Sequence, residues 1–488
     1  MVFSSHIFLY YFLPLSLLVY YSLPWRPARH LSLTLVSYVF YGWANPKFVA
    51  VMIATSTIDY VTARVQAHDG FRGWNRPIEV LPRGEARSRI QKAAFLTSLL
   101  ANLGMLLFFK YFNFAIDNYQ ALLGSLGLER YQLDSVLRVA LPLGISLYTF
   151  QAMSYCIDVY RGDCRAVRSY NDYMCFVAQY QQLVAGPIVR FSELADQFES
   201  RTHTVAKFAR GVALFSLGLA MKVVLANPCG KIADTIFNAG SVGTLDAWYG
   251  VTAYAFQIYF DFAGYSEMAV GLGLMMGFVF IQNFDQPYRA ASLSEFWRRW
   301  HISLSTWLRD YLYLPLGGNR KGEARTYINL ALVMLLGGLW HGASWNFVIW
   351  GGIHGAALAL ERWRNEHGAD SRFRVPRRLR VATTFFIVIV AWVFFRASDL
   401  PAALAHLRSM AGMGQAQAGA GLLGGIVYQP YYVLSFLVAG LIVWTFPALW
   451  DWTQRLTWRK AAACLALLWL SLVLLATQEY NPFIYFLF

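Results

Sequence analysis

Twelve apolar stretches, spread along the whole chain, limit what this sequence can fold into. A helix that crosses a bilayer needs about 20 mostly apolar residues, with a range of roughly 17–25. Candidates lie near 6–22, 31–44, 47–64, 92–113, 136–157, 208–226, 246–273, 326–343, 345–362, 381–396, 430–447 and 461–477. Several are short, so the expected count is ten to twelve spans. The pair 31–44 and 47–64 is split by Ala44-Asn45-Pro46, which predicts a tight turn between antiparallel helices. Only 14% of the residues are charged, against about 25% in a soluble protein, because a lipid-facing surface does not carry ionised groups cheaply. Aromatic residues make up 17%, including 17 Trp and 29 Tyr, the types that collect at membrane–water boundaries. The predicted fold class is therefore an all-α, multi-pass membrane protein.

Two further stretches are apolar but interrupted. The first, 171–190, runs into Val184-Ala185-Gly186-Pro187, and the second, 296–316, carries Arg298, Arg299, His301, Arg309 and Asp310. Neither can face lipid along its length, and broken backbone at membrane depth is tolerated only inside protein or beside a wet cavity. Re-entrant or interfacial helices are expected there. The basic residues cluster in three loops: 72–92, 161–168 and 362–380. The loop 114–135 is poor in them, with Asp117, Glu129 and Asp134 against Arg130. The rule that positive loops stay inside places the basic set in the cytoplasm, and twelve spans would leave both termini outside. The net charge of +14 is thus explained by orientation in the bilayer, without nucleic acid. The five cysteines are odd in number and form no CxxC pair, which argues against a disulfide framework or a zinc site. The apolar start, 1–23, lacks a basic leader and a small-residue cleavage site, and reads as a retained first span. No internal repeat is visible, and Ala411 to Gly425 is the one low-complexity run. A single membrane domain, 1–488, is expected, with peripheral helices over about 1–135, a core over about 136–362 and further helices over about 363–488.

Polar groups inside such segments are costly and are functional candidates for that reason. The helix near 246–273 carries Gln257, Asp261 and Glu267, with 257, 261 and 264 on one face. A buried network that locks helices together is the structural alternative for Asp261. The block Glu295-Phe-Trp297-Arg298-Arg299-Trp300-His301 is followed by Gly317-Gly318-Asn319-Arg320-Lys321. Arg298, Arg299 and Lys321 are suited to phosphates of a donor or of lipid head groups; interfacial anchoring is the alternative. The glycine turn lacks the spacing of an ATP-binding loop. In Gly337-Gly338-Leu339-Trp340-His341-Gly342-Ala343-Ser344-Trp345-Asn346, small neighbours allow close approach to His341. Imidazole accepts a hydroxyl proton near neutral pH, which is what acyl transfer to an alcohol requires. A hydrogen-bonded packing role is the alternative for any lone membrane histidine. No carboxylate spacing supports a metal site made of His301, His341 and His354.

Taken together, these blocks resemble the membrane-bound O-acyltransferase family, and within it the branch that acetylates polysaccharides such as alginate. The resemblance rests on Met1-Val2-Phe3-Ser4-Ser5, Ile157-Asp158-Val159-Tyr160-Arg161-Gly162, Leu183-Val184-Ala185-Gly186-Pro187-Ile188-Val189-Arg190 and Tyr259-Phe260-Asp261-Phe262 with Gly264-Tyr265-Ser266. It continues through Phe296-Trp297-Arg298-Arg299-Trp300-His301-Ile302-Ser303-Leu304-Ser305, Leu339-Trp340-His341-Gly342-Ala343 and Asn481-Pro482-Phe483-Ile484-Tyr485-Phe486. Tyr180-Gln181-Gln182 departs from the family, which often has Phe-Pro there. The resemblance implies a ring of helices around a central tunnel, with His341 as the family histidine and His301 as its second polar position. Trp340, Asn346, Asp261, Arg298, Arg299 and Lys321 are weaker substrate- or donor-binding candidates. It also implies no bound cofactor or metal, acetyl-CoA as donor on the cytoplasmic side of a bacterial inner membrane, and a periplasmic or membrane-anchored acetyltransferase partner that serves the polysaccharide. A transporter or flippase, or a non-catalytic scaffold of a polysaccharide-modification complex, would share the broken helices and buried polar groups.

Overall fold

A computed structural model describes residues 1–133, 137–367, 375–414 and 420–484. All twelve apolar stretches contain helix, and the described residues hold no strand. The tight turn is present: Arg26–Gly42 and Lys47–His68 are separated by four residues, and the Asn45 side chain accepts from the Lys47 N–H at 3.1 Å. Among the described residues, five helices are long and apolar enough to cross a membrane on those grounds alone: Lys47–His68, Arg89–Ser125, Val205–Phe237, Arg377–Arg396 and Trp458–Thr477. Phe8–Ser22 and Pro430–Thr445 are apolar but shorter. Others of the expected ten to twelve carry polar groups that the protein interior absorbs. Thr244–Met275 holds Gln257, Asp261 and Glu267, all buried, a placement open to an interior helix and closed to a lipid-facing one.

The described residues form two compact units. One comprises Met1–Val205 with Gly273–Phe280, the other Ala206–Leu272 with Ile281–Phe488. Their boundary falls inside the 136–362 stretch that the sequence groups as one core. In the first unit, Asp59 is buried and accepts from Ser98 Oγ at 2.6 Å and Asn102 Nδ2 at 2.7 Å. The interrupted stretch 171–190 forms Tyr170–Ala178, a single turn Tyr180–Leu183 and then irregular backbone, with Tyr173 to Val189 buried throughout.

The second unit contains the candidate residues. Its first long helix widens into a π turn over Met221–Ala226, directly before Asn227-Pro228. Proline lacks the N–H that would continue the regular ladder, and π turns inside helices recur at functional positions. Lys222 lies in this turn. Stretch 296–316 is broken as expected: Leu293–Arg299 stops, Ile302–Leu308 restarts, and a π turn follows over Arg309–Tyr313. Helices Glu323–His341 and Trp345–His367 form a hairpin. A Cβ on Gly338 would lie 2.2 Å from the Phe347 carbonyl oxygen, and one on Gly351 would lie 2.3 Å from that of Met334. Only glycine lets these two backbones come so close. Arg372 and Arg374 of the basic loop, Asp134, residues 415–419 of the low-complexity run, and Tyr485 and Phe486 lie outside the described residues.

Candidate active site

The hairpin delivers His341 as the last residue of its first helix, 9% exposed. Three rings meet the imidazole edge-to-face: Trp340 at 5.0 Å, Trp350 at 5.2 Å and Phe395 at 5.2 Å between centroids. Such T-shaped contacts match the negative face of one ring to the positive edge of the next. Trp392 joins the group, 5.7 Å from Trp350 and 5.1 Å from Phe395. His341 also faces a small cavity, which it lines with Phe262, Trp300, Trp392, Phe395 and Ile484 among others. The cavity measures about 10 Å³, room for a group the size of one water.

His301 sits at the break between the two short helices, fully buried, with φ 44° and ψ 56°. A non-glycine residue in this left-handed region is uncommon, and such residues cluster at functional positions. The local partner is Asn283. Its Oδ1 accepts from the Ser303 N–H at 3.1 Å and from Ser303 Oγ at 2.9 Å, and it faces His301 Nδ1 at 3.2 Å. A backbone N–H can only donate, so the atom it meets must be the amide oxygen. His301 Nδ1 also lies 3.3 Å from Ser303 Oγ, and in the tautomer that donates to the Asn283 oxygen it carries the proton. That leaves Nε2 as the bare, accepting nitrogen, buried and with no hydrogen-bond partner among the described residues. A buried acceptor kept open in this way is suited to an incoming hydroxyl.

Trp340 connects the two histidines. Its ring lies 6.0 Å from that of His301 and 5.0 Å from that of His341. Phe262, a wall of the cavity, meets His301 edge-on at 4.7 Å. The two histidine blocks, forty residues apart in sequence, therefore share one aromatic setting. His354 borders it, 4.9 Å from Trp350 and 5.2 Å from Trp297, with neither ring nitrogen hydrogen-bonded among the described residues. The described residues gather metal-competent side chains at ligand distance in one place only, the exposed Glu323, Glu366 and His367; the three buried histidines are not so grouped.

The weaker candidates divide. Asp261 pairs with Lys222 at 2.8 Å, both side chains 1% exposed, and its second oxygen accepts from the Ile484 N–H at 2.9 Å. Its carboxylate thus fastens parts of the fold to one another, the structural alternative that the sequence left open. Arg299 is held by Glu295 at 2.9 Å and Asp285 at 3.2 Å. Burial works against the charge on Glu295, but the Ala291 N–H and the guanidiniums of Arg299 and Arg377 outweigh it and hold that carboxyl below its usual range. Arg298 and Lys321 are exposed. Asn346 is buried, with Nδ2 donating to the Ala397 carbonyl at 3.0 Å and Oδ1 without a partner among the described residues. Sequence reasoning missed Asn283, Trp350, Phe395 and Lys222. Asn283 stood between the quoted blocks, 16 residues after Glu267 and 12 before Glu295, and the only signal for Lys222 was a lone cation inside an apolar run.

Buried histidines among aromatic rings, on broken helices in an all-helical membrane protein, make up the candidate site. The chain belongs to the membrane-bound O-acyltransferase family and is a membrane O-acyltransferase: that family's sequence model matches residues 165–398. It is 43% identical to "Probable alginate O-acetylase AlgI" of Pseudomonas putida over 514 aligned positions, covering 100% of both chains. It is 35% identical to the peptidoglycan O-acetyltransferase of Helicobacter pylori, over 85% of this chain and 80% of that one. Similarity extends to the teichoic acid D-alanyltransferase of Bacillus subtilis, at 26% identity over 52% of this chain and 68% of the relative.

The geometry around Asn283 makes a direct prediction. Asn283→Ala removes the acceptor that fixes the His301 ring and its proton, and misplacement of a reacting group by about 1 Å costs roughly 10²-fold. The turnover rate is expected to fall by about that factor, with KM little changed. Asn283→Asp keeps the acceptor oxygen and is expected to retain more activity than Asn283→Ala; equal losses in the two variants would show that the accepted bond is not what matters at this position.

Proposed function

We propose that this chain takes an acetyl group from acetyl-CoA at the cytoplasmic face of a bacterial inner membrane and passes it on for O-acetylation of an exported polysaccharide such as alginate. The observation that carries this reading is the cavity beside His341, small, ringed by aromatics and joined through Trp340 to a second histidine with an open nitrogen. Full-length similarity to a relative named for alginate O-acetylation supports the acetyl group and the polysaccharide. The basic loops 72–92, 161–168 and 362–380 support a cytoplasmic donor side. Arg298 and Lys321, exposed and cationic, are the side chains offered to the donor's phosphates. A periplasmic or membrane-anchored acetyltransferase is the partner that would carry the group to the sugar.

In the transfer itself, the acceptor oxygen attacks the thioester carbonyl carbon while His341 takes the hydroxyl proton. The C–S bond then breaks, and the departing sulfur receives that proton and leaves as a free thiol. If His341 carries the acyl group itself, one ring nitrogen forms the new bond as the C–S bond breaks, the departing sulfur takes the proton of the other ring nitrogen and leaves as a thiol, and the acceptor oxygen then displaces the imidazole, which takes the hydroxyl proton. His301, through Nε2, receives or orients the incoming hydroxyl. The test uses the purified full chain in lipid nanodiscs with acetyl-labelled acetyl-CoA. Release of CoA, with label on the protein or on added acceptor, is expected. Unchanged donor, with acetyl-CoA or sugar crossing liposomes intact, would replace the enzyme reading with transport. A rapid acid quench separates the two routes, since only the second leaves label on the protein.

A further inference from the structure

Segment 480–484 has almost no regular structure, yet each of its residues is fastened in turn. The Tyr480 hydroxyl donates to Asp234. Asn481 Oδ1 accepts from Asn227 Nδ2 at 3.3 Å. The Pro482 carbonyl accepts from Lys222 Nζ. The Phe483 ring packs 4.6 Å from that of Tyr265, and the Ile484 N–H donates to Asp261. All five anchor residues lie on two helical segments, 221–237 and 244–275. Two of these contacts meet at one point, because Lys222 and Asp261 also pair with each other.

What this fastening places is the Ile484 side chain. It is 1% exposed and forms part of the wall of the cavity that contains His341. The other walls are rings and the Ile258 side chain, and the remaining space of about 10 Å³ takes one group the size of a water or a methyl. An acetyl group ends in a single methyl; propionyl and butyryl add one and two methylenes to it. Aromatic rings held face to edge by their neighbours have little room to yield. Of the two aliphatic walls, Ile258 lies within the helix Thr244–Met275, whereas Ile484 sits on the 480–484 segment, whose backbone is held by side-chain anchors.

We propose that Ile484 sets the length of the acyl group that this site transfers, acting as the end-stop that admits two carbons and excludes four, and that Lys222 and Asp261 are positioning residues that hold it there. This rests on the reading of His341 as the transfer residue. Burial of a methylene is worth about 0.8 kcal/mol, close to a fourfold change in kcat/KM, so two methylenes correspond to about tenfold or slightly more.

The experiment measures CoA release from acetyl-, propionyl- and butyryl-CoA by the full chain in nanodiscs. Wild type is expected to prefer acetyl-CoA. Ile484→Ala is expected to raise the butyryl-to-acetyl ratio of kcat/KM about tenfold, with Ile484→Val giving a smaller shift toward propionyl. Lys222→Met/Asp261→Leu, which frees the segment while removing both charges, is expected to broaden the ratio without matching Ile484→Ala. A purely structural role for Ile484 lowers all three donors together. A wild-type acetyl rate with an unchanged ratio in both Ile484 variants therefore overturns the inference alone. Should Ile484→Ala elute as aggregate, Ile484→Val decides by the same ratio. A folded wild type that releases CoA from none of the donors overturns the functional reading, and this inference with it.

Discussion

His341→Ala is expected to lower acyl transfer by about 10²–10⁴-fold, the range that a positioned acid–base group contributes. The alanine variant also empties space between Trp350 and Phe395, so part of any loss could reflect repacking. His341→Gln separates the two effects: it fills most of the volume and offers hydrogen bonds but cannot take up a proton at neutral pH. Both variants are expected to be equally inactive in CoA release while eluting as folded protein. A glutamine variant with near-native turnover would remove His341 from the chemistry and leave it a packing role among the aromatic rings.

The second large effect is on stability. Lys222→Met leaves the Asp261 carboxylate buried, with the Ile484 N–H as its remaining hydrogen bond. Removing one partner of a buried pair costs about 3–5 kcal/mol, whereas replacing both by apolar residues is often near neutral. A marked fall in the thermal midpoint is expected for Lys222→Met in detergent, with recovery of most of that fall in Lys222→Met/Asp261→Leu. A single variant as stable as wild type would mean that the ammonium and carboxylate do not compensate each other in the native state.

The helical architecture was legible because lipid imposes a coarse rule. Long apolar runs without charge can do little else, and the Asn45-Pro46 turn and the Gly186-Pro187 break carry their own punctuation. The histidines were legible as costly polar groups, and their block neighbours supplied the family. What could not be read is where side chains from distant segments meet. Asp261 looked like a ligand-binding carboxylate because its partner, Lys222, lies 39 residues earlier in sequence and shares no motif with it. Arg299 looked free for phosphate because Asp285 and Glu295 resemble ordinary loop and cap residues until the chain folds them around it. The αL turn at His301 has no glycine to announce it. Its cause is Asn283, which gathers three donors on one oxygen.

The ring of Trp and Phe around His341 has a consequence for what the enzyme wastes. Activated acyl groups are lost to hydrolysis wherever bulk water can line up beside them, and each loss squanders a donor molecule without product. A chamber with space for about one small group cannot seat an acyl methyl and a reactive water side by side. On the proposed reading of His341, the same crowding would work as a safeguard that keeps idle turnover low.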